Sequence, residues 1–161
     1  MNDEEMKTIS LTVNGEQVTR AVPVRQHLVD FLRSDLGLTG AHLGCEHGIC
    51  GACSVRVDGA VVRGCLMLAV QADGADVVTI EGLTDTGEVA DLQEAFVARN
   101  ALQCGFCTPG MLMTAADLLG EARAMTREEI RTFLSGNFCR CTGYHAVVDA
   151  VASTLAKRLA E

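Results

Sequence analysis

The apolar residues in the first half of the chain recur mostly at every second position, the period expected of strands. Residues 8–13 alternate in this way and are rich in β-branched side chains, and the Asn14-Gly15 pair after them favours a type I′ hairpin turn. The predicted elements of this half are strands at 8–13 and 17–22, a helix at 24–36, strands at 54–57 and 61–63 around Asp58-Gly59, and a strand at 77–80. Strands crossed by one helix predict a small mixed sheet of the β-grasp kind.

The second half of the chain shows helical periodicity. Residues 81–88 are rich in Gly, Thr and Asp and are interpreted as a linker, which divides the chain into domains at 1–82 and 83–161. Four helices are predicted after it: one at 90–100, one that begins with Thr108 as N-cap and Pro109 at N1 and that Gly120 closes, one after a capping box at 126–129, and one striped by apolar residues from 144 to 155. The expected fold class is therefore α+β, a β-grasp domain followed by an all-α domain whose four helices form two pairs.

Composition narrows the class of protein. Apolar residues make up 48% of the 161 residues, enough to form a core, and the net charge of −8 argues against binding to nucleic acid, which needs a basic surface. The sequence shows neither a secretory signal nor an apolar run long enough to cross a membrane, so the expected location is the cytoplasm. Eight cysteines in such a chain indicate metal binding or catalysis before disulfides.

The first group of cysteines lies in a glycine-rich stretch, residues 44–53. Cys45, Cys50 and Cys53 follow the spacing C-x4-C-x2-C, and Cys65 comes after them. This is the spacing of plant-type [2Fe–2S] ferredoxins. Glycine lets the backbone curl tightly around an inorganic group, because it tolerates positive φ and close approach. The first hypothesis is an iron–sulfur cluster held by these four thiols.

The second group of cysteines lies in the helical half. Cys104 and Cys107 fall between the first two predicted helices, and Cys139 and Cys141 fall between the last two. If the two helix pairs pack together, the four thiols form a second Cys₄ site that joins both halves of the bundle. The eight cysteines then divide into two complete sets of four, with none left over.

Cysteine spacing is also compatible with other kinds of site. Zinc is disfavoured at the first set, where no second C-x2-C pair follows, but at the second set taken alone it is nearly as compatible as iron–sulfur. A Rieske centre needs two histidines. His47 lies in the first loop, but no second histidine accompanies Cys65, so His47 is predicted to be a loop residue near the cluster. Neither a nucleotide motif nor a catalytic constellation is found.

Three segments carry a resemblance to a known family: residues 44–53 (GCEHGICGAC), 103–110 (QCGFCTPG) and 136–144 (GNFCRCTGY). With them the chain resembles the iron–sulfur small subunit of the molybdenum hydroxylases, the xanthine oxidase family that includes carbon monoxide dehydrogenase. The resemblance covers nearly the whole chain, and all eight cysteines match. It implies a plant-ferredoxin-like N-terminal domain and a C-terminal four-helix bundle, each with one [2Fe–2S] cluster.

The resemblance also implies partners and a task. The implied partners are a large subunit with molybdopterin, usually the cytosine dinucleotide form in bacteria, and a medium subunit with FAD, in a dimer of heterotrimers. The cluster of the helical domain would lie next to the pterin, where Gln103 matches a glutamine that hydrogen-bonds it, and the ferredoxin-like cluster would face the flavin. The implied function is electron transfer within an oxidoreductase, with no substrate site on this chain. A free-standing two-cluster electron carrier and a zinc-stabilised interaction protein are the alternatives.

Overall fold

The computed structural model of the protein describes residues 4–160. Its N-terminal half is built on a five-stranded sheet with the order β2-β1-β5-β3-β4. The strands are β1 (Met6–Val13), β2 (Glu16–Pro23), β3 (Ser54–Val57), β4 (Ala60–Arg63) and β5 (Asp76–Val78). β1 pairs antiparallel with β2 and parallel with β5, and β3 pairs antiparallel with both β4 and β5. The predicted mixed sheet is confirmed.

Both predicted hairpin turns form. Asn14 and Gly15 have φ of 51° and 84°, and Asp58 and Gly59 have φ of 48° and 82°. Positive φ at both central residues is the signature of a type I′ turn, whose twist matches that of the flanking strands. Each pair of residues therefore fixes the register of its hairpin from within the turn.

The helix predicted at 24–36 begins later and is irregular. It comprises α1 (Leu28–Asp30) and a π-helical turn, Phe31–Asp35, and its buried side chains pack under the sheet. The residues just before α1 are not helical, because His27 forms an isolated β-bridge with Leu68. A short 3₁₀ helix, Ala69–Ala72, precedes β5.

The predicted strand at 77–80 and linker at 81–88 are wrong in part. β5 ends at Val78, and a helix, α2 (Ile80–Asp85), occupies most of the expected linker. Ile80 and Leu83 are three residues apart and bury their side chains in the helical core, with exposures of 9% and 1%. Burial on one face stabilises a short helix that its Gly, Thr and Asp content alone does not predict.

The four later helices are confirmed. They are α3 (Ala90–Ala98), α4 (Thr108–Gly120), α5 (Arg127–Phe133) with a 3₁₀ turn at Leu134–Gly136, and α6 (His145–Arg158). The predicted capping box forms: Thr126 Oγ1 accepts from the Glu129 amide at 3.2 Å, and a Glu129 carboxylate oxygen accepts from the Thr126 amide at 2.7 Å. Thr108, however, is the first residue of α4 and not its N-cap, which is Cys107.

Two apolar cores correspond to the two structural layers. One lies under the sheet around Phe31, and the other lies among the helices around Phe96 and Met113. Val61 and Val78 of the sheet pack against the helical core, so the two layers meet directly. This mixed architecture, with a sheet domain preceding a helical one, confirms the predicted fold class. None of the helices between residues 4 and 160 is long and apolar enough to span a bilayer.

Candidate metal centres

The β3–β4 hairpin brings the last two cysteines of the first set together. Cys53 directly precedes β3, Cys65 follows β4, and the strands pair Ser54 with Arg63. The amide of Gly64 donates to the carbonyl oxygen of Cys53 at 3.1 Å, which continues the ladder to the two cysteines. Cys53 and Cys65 are 1% and 2% exposed, so this side of the set is closed to solvent.

The glycine-rich loop presents the other two thiols and surrounds one of them with amide groups. The Sγ atom of Cys45 accepts hydrogen bonds from the amides of His47 and Cys50, each at 3.4 Å. Gly48 and Gly51 in the same loop have φ of 74° and 75°, a left-handed backbone that glycine adopts without strain. The loop therefore supplies N–H donors to sulfur, the interaction that tunes iron–sulfur sites.

The thiols of the first set differ in acidity because their surroundings differ. Hydrogen bonds from the Cys50 and His47 amides lower the pKa of Cys45 to about 6. Burial raises the pKa of Cys53 to about 11, with further contributions from the neighbouring Cys65 and Cys50 thiols. These effects link neighbouring thiols of the set, Cys45 with Cys50 and Cys53 with Cys65 and Cys50.

The second set joins two helix connections. Cys104 and Cys107 lie between α3 and α4, and Cys139 and Cys141 lie just before α6. The Sγ atoms of Cys104 and Cys141 are 3.6 Å apart. The Sγ atom of Cys139 accepts from the amides of Cys141 and Thr142, each at 3.4 Å. The two helix connections bring thiols together as expected, but the helices do not form the two expected pairs, because α3 packs mainly against α6.

The thiols of the second set also differ in their pKa values. Burial raises the pKa of Cys139, but hydrogen bonds from Thr142, Cys141 and Cys107 outweigh it and lower the value to about 7. Burial raises the pKa of Cys107 to about 12, and the neighbouring Cys139 thiol contributes to this shift. Each set therefore combines one thiol that ionises readily with one that stays protonated near neutral pH unless a metal compensates its charge.

The two thiol sets are in backbone contact. The amide of Phe138, next to Cys139, donates to the carbonyl oxygen of Cys50 at 2.8 Å. Asn137 is 1% exposed, and its Nδ2 donates to the carbonyl oxygen of Gly51 at 3.3 Å. One hydrogen bond thus separates a cysteine of the first set from the neighbour of a cysteine in the second.

The donor sets fit [2Fe–2S] clusters in their chemistry. Each set offers four sulfurs with amide donors to a thiol, and Cys₄ is the ligand set of such clusters. The sulfurs lie in pairs: within residues 4–160, no group of three or more Cys, His, Asp or Glu side chains closes around a single metal ion. The assignment of each thiol as a ligand stays a prediction.

Gln103 and His47 form hydrogen bonds next to the two thiol sets. Gln103 Nε2 donates to the carbonyl oxygen of Cys141 at 2.8 Å, so the predicted pterin contact lies at the second set. His47 is predicted to lie near the first cluster. Its backbone amide donates to the Sγ atom of Cys45, and its ring Nδ1 forms a hydrogen bond with the Cys45 carbonyl oxygen.

Sequence patterns missed a second inter-loop contact, made by His42. Its Nδ1 is 2.7 Å from the carbonyl oxygen of Phe106, and the two rings stack with centroids 4.7 Å apart. Phe106 lies between Cys104 and Cys107, so His42 joins the first loop to the second thiol set. No sequence motif marks such a pair, because the contact depends on how the two domains pack.

The sheet domain and the helical domain each match a known protein family. Residues 11–78 match the 2Fe-2S iron-sulfur cluster binding domain, and residues 79–152 match the [2Fe-2S] binding domain. The chain is 54% identical to the nicotine 6-hydroxylase small subunit of Paenarthrobacter nicotinovorans over 89% of its length and 86% of that protein. It is 52% identical to the caffeine dehydrogenase subunit gamma of Pseudomonas sp. (strain CBB1), over 90% of its length and 89% of that protein.

A solved structure shares the whole architecture. A chain of the quinoline 2-oxidoreductase from Pseudomonas putida 86 superposes with a TM-score of 0.90 at 47% identity, covering 96% of both chains. The fold and the thiol sets define a two-domain [2Fe–2S] protein. The chain belongs to the iron–sulfur small subunits of the xanthine dehydrogenase family of molybdenum hydroxylases.

Proposed function

We propose that the chain is the electron-transfer subunit of a heteromeric molybdenum hydroxylase and has no substrate site of its own. The proposal rests on family membership and on the hydrogen bond between the two thiol sets. We propose as partners a large subunit with molybdopterin, in its cytosine dinucleotide form, and a medium subunit with FAD. The proposed assembly is a dimer of heterotrimers in the cytoplasm.

The ligands that we propose are the two sets of cysteines. Cys45, Cys50, Cys53 and Cys65 would hold one [2Fe–2S] cluster, and Cys104, Cys107, Cys139 and Cys141 would hold the other. A bound [2Fe–2S] cluster supplies a group that takes up and gives up one electron at a time. The amides on the Sγ atoms of Cys45 and Cys139 stabilise the negative charge that ligation places on sulfur.

The observation that carries the proposal is the short route between the sets. From Cys50 the route passes through its own carbonyl group, across one 2.8 Å hydrogen bond to the amide of Phe138, and along one peptide to Cys139. A protein whose two metal sites served only stability would not need them joined in this way. A chain with two one-electron sites and a direct connection is suited to relaying electrons.

Exposed apolar side chains lie beside both thiol sets, aliphatic ones at the first set and aromatic ones at the second. Beside the first set, Ile49 and Leu66 are 58% and 64% exposed, and beside the second set, Phe106 and Phe138 are 48% and 52% exposed. We assign the second set to the molybdopterin subunit, because Gln103 is exposed and bonded to Cys141 there. We assign the first set, with its thin glycine loop, to the flavin subunit.

The proposal is tested in the native complex. We expect the chain to copurify with two larger chains, molybdenum and flavin, and substrate to reduce the flavin through this subunit. Phe138→Pro removes the amide donor of the connecting bond, and Asn137 already has the extended backbone, φ −117° and ψ 111°, that a following proline requires.

The matched control for Phe138→Pro is Phe138→Ala, which keeps the amide and removes only the ring. We expect slow flavin reduction in Phe138→Pro and a near-parental rate in Phe138→Ala, with equal iron content in both. A chain that purifies alone, or a colourless chain loaded with zinc, would contradict the proposal. Equal rates in the two variants would reject the route.

A further inference from the structure

Arg63 spans from the sheet to the loop of the second thiol set. It is the last residue of β4, and its guanidinium donates through one nitrogen to the carbonyl oxygen of Gly136 at 2.9 Å. The other nitrogen donates to the hydroxyl of Ser54. Ser54 follows Cys53, and Gly136 lies three residues before Cys139. One side chain therefore bonds to a neighbour of each set.

Further hydrogen bonds link Arg63 to the backbone contact between the two thiol sets. The Ser54 hydroxyl donates to the carbonyl oxygen of Gly51 at 2.7 Å, and Gly51 follows Cys50, whose carbonyl accepts from Phe138. The hydroxyl has one hydrogen to give, so its acceptance from the guanidinium leaves that hydrogen free for Gly51. The two hydrogen bonds of the Arg63 guanidinium, called the fork below, thus orient the two backbone segments that form the bond between the Phe138 amide and the Cys50 carbonyl.

The approach of the guanidinium depends on a missing side chain. A β-carbon on Gly136 would lie 2.7 Å from the Arg63 nitrogen, closer than atoms can pack. A side chain at this position would make the flexible end of Arg63 shift, so glycine leaves room for the cation to reach the backbone carbonyl.

Arg63 also brings a positive charge to the junction of the two domains. Among residues 4–160, no carboxylate forms an ion pair with it, although its side chain is partly buried. A partly buried cation is costly unless negative charge lies near it. A [2Fe–2S] cluster with four thiolate ligands carries a net negative charge, and bound clusters would supply it.

We propose that Arg63 is a positioning residue for electron transfer between the two clusters. Its fork holds the carbonyl of Cys50 on the amide of Phe138, and its charge favours the reduced state of both sites. This role rests on the proposed function, since it presupposes that both sets hold clusters. Arg63 itself exchanges no electron and binds no iron.

Two variants separate the fork from the charge. Arg63→Lys keeps the positive charge but cannot bond to Ser54 and Gly136 in the planar fork geometry, and Arg63→Gln loses both charge and fork. Arg56→Lys is the matched control. Arg56 also joins the two domains by a forked contact, to Glu88 at 2.8 and 3.2 Å, and within residues 4–160 its guanidinium makes no hydrogen bond to the thiol loops.

Three readouts are taken on the cluster-loaded full chain. Hydrogen exchange of the peptide carrying Phe138 should be about fivefold faster in both Arg63 variants, the factor expected from one lost hydrogen bond. The magnetic splitting between the two reduced clusters should weaken in both. The reduction potentials should fall in Arg63→Gln and stay near parental in Arg63→Lys. Arg56→Lys should leave all three unchanged.

The outcomes separate the inference from the function on which it rests. If both Arg63 variants melt at lower temperature but keep the parental splitting and exchange, Arg63 is only structural and the inference is wrong. If the parent chain itself shows no pair of interacting cluster signals, the proposed function fails and the inference fails with it. Weaker splitting in both variants, with altered potentials only in Arg63→Gln, supports it.

Discussion

Gly110 of α4 lies directly against Gly51 of the first thiol loop. A β-carbon on Gly110 would lie 2.1 Å from the carbonyl oxygen of Gly51 and 3.1 Å from the Cα of Ala52. Gly51 in turn has φ of 75°, and a β-carbon on it would lie 2.5 Å from the carbonyl oxygen of Gly136. The first thiol loop is therefore wedged between two backbone segments of the helical domain, with glycine at each contact.

This packing predicts that Gly110→Ala destabilises the chain. The added methyl group must push the thiol loop away from α4, and overpacking of this kind costs about 1–3 kcal/mol. Gly120→Ala is the control, because Gly120 ends the same helix and a β-carbon added there would meet nothing within 4 Å. We expect Gly120→Ala to be unchanged or more stable by about 0.5 kcal/mol. Thermal unfolding with iron analysis compares the two, and equal stability would contradict the packing.

The divided acidity of the thiols predicts an order of alkylation in the iron-free chain. Thiolate is the reactive form, so Cys45, with its pKa of about 6, should react with iodoacetamide first at neutral pH. Its rate should level off once the pH exceeds that value. Cys53 and Cys107, with pKa values of about 11 and 12, should still react faster as the pH rises further. Mass spectrometry after short pulses measures each site, and a Cys45 no faster than Cys53 would contradict this assignment.

The place of Gln103 predicts a functional defect without a folding defect. Its side chain is exposed and donates a hydrogen bond to the Cys141 carbonyl, so Gln103→Ala should change unfolding stability by less than about 1 kcal/mol. If the pterin also contacts Gln103, electron transfer from the molybdenum subunit should slow in the complex. Gln93→Ala, which loses a comparable exposed bond to Thr84, is the control and should keep the parental rate.

Much of the fold could be predicted because its signals are local. Asn14-Gly15 defines a hairpin by its own backbone preference, and the capping box at Thr126 and Glu129 begins a helix with its own side chains. The helix at Ile80–Asp85 could not be predicted, because burial of Ile80 and Leu83 in the helical core forms it, and its composition resembles a linker. The π-helical turn after α1 has no local signal either.

The thiol sets could be predicted from spacing, but the contacts between them could not. Arg63 and Gly136 are 73 residues apart, and only the docking of the sheet onto the helices brings them together. The same holds for Cys50 and Phe138. These contacts give the glycine-rich loop a second role, because the loop is both a candidate cluster site and the junction between the domains.

The central claim is that the eight cysteines form two separate four-thiol cluster sites. It is tested most directly by electron paramagnetic resonance of the reduced chain and of the variants Cys139→Ser and Cys50→Ser. The parent should show two S = 1/2 signals. Cys139→Ser should lose one signal and about half of the iron, and Cys50→Ser should lose the other. Loss of both signals in either variant, or loss of neither, would contradict the claim.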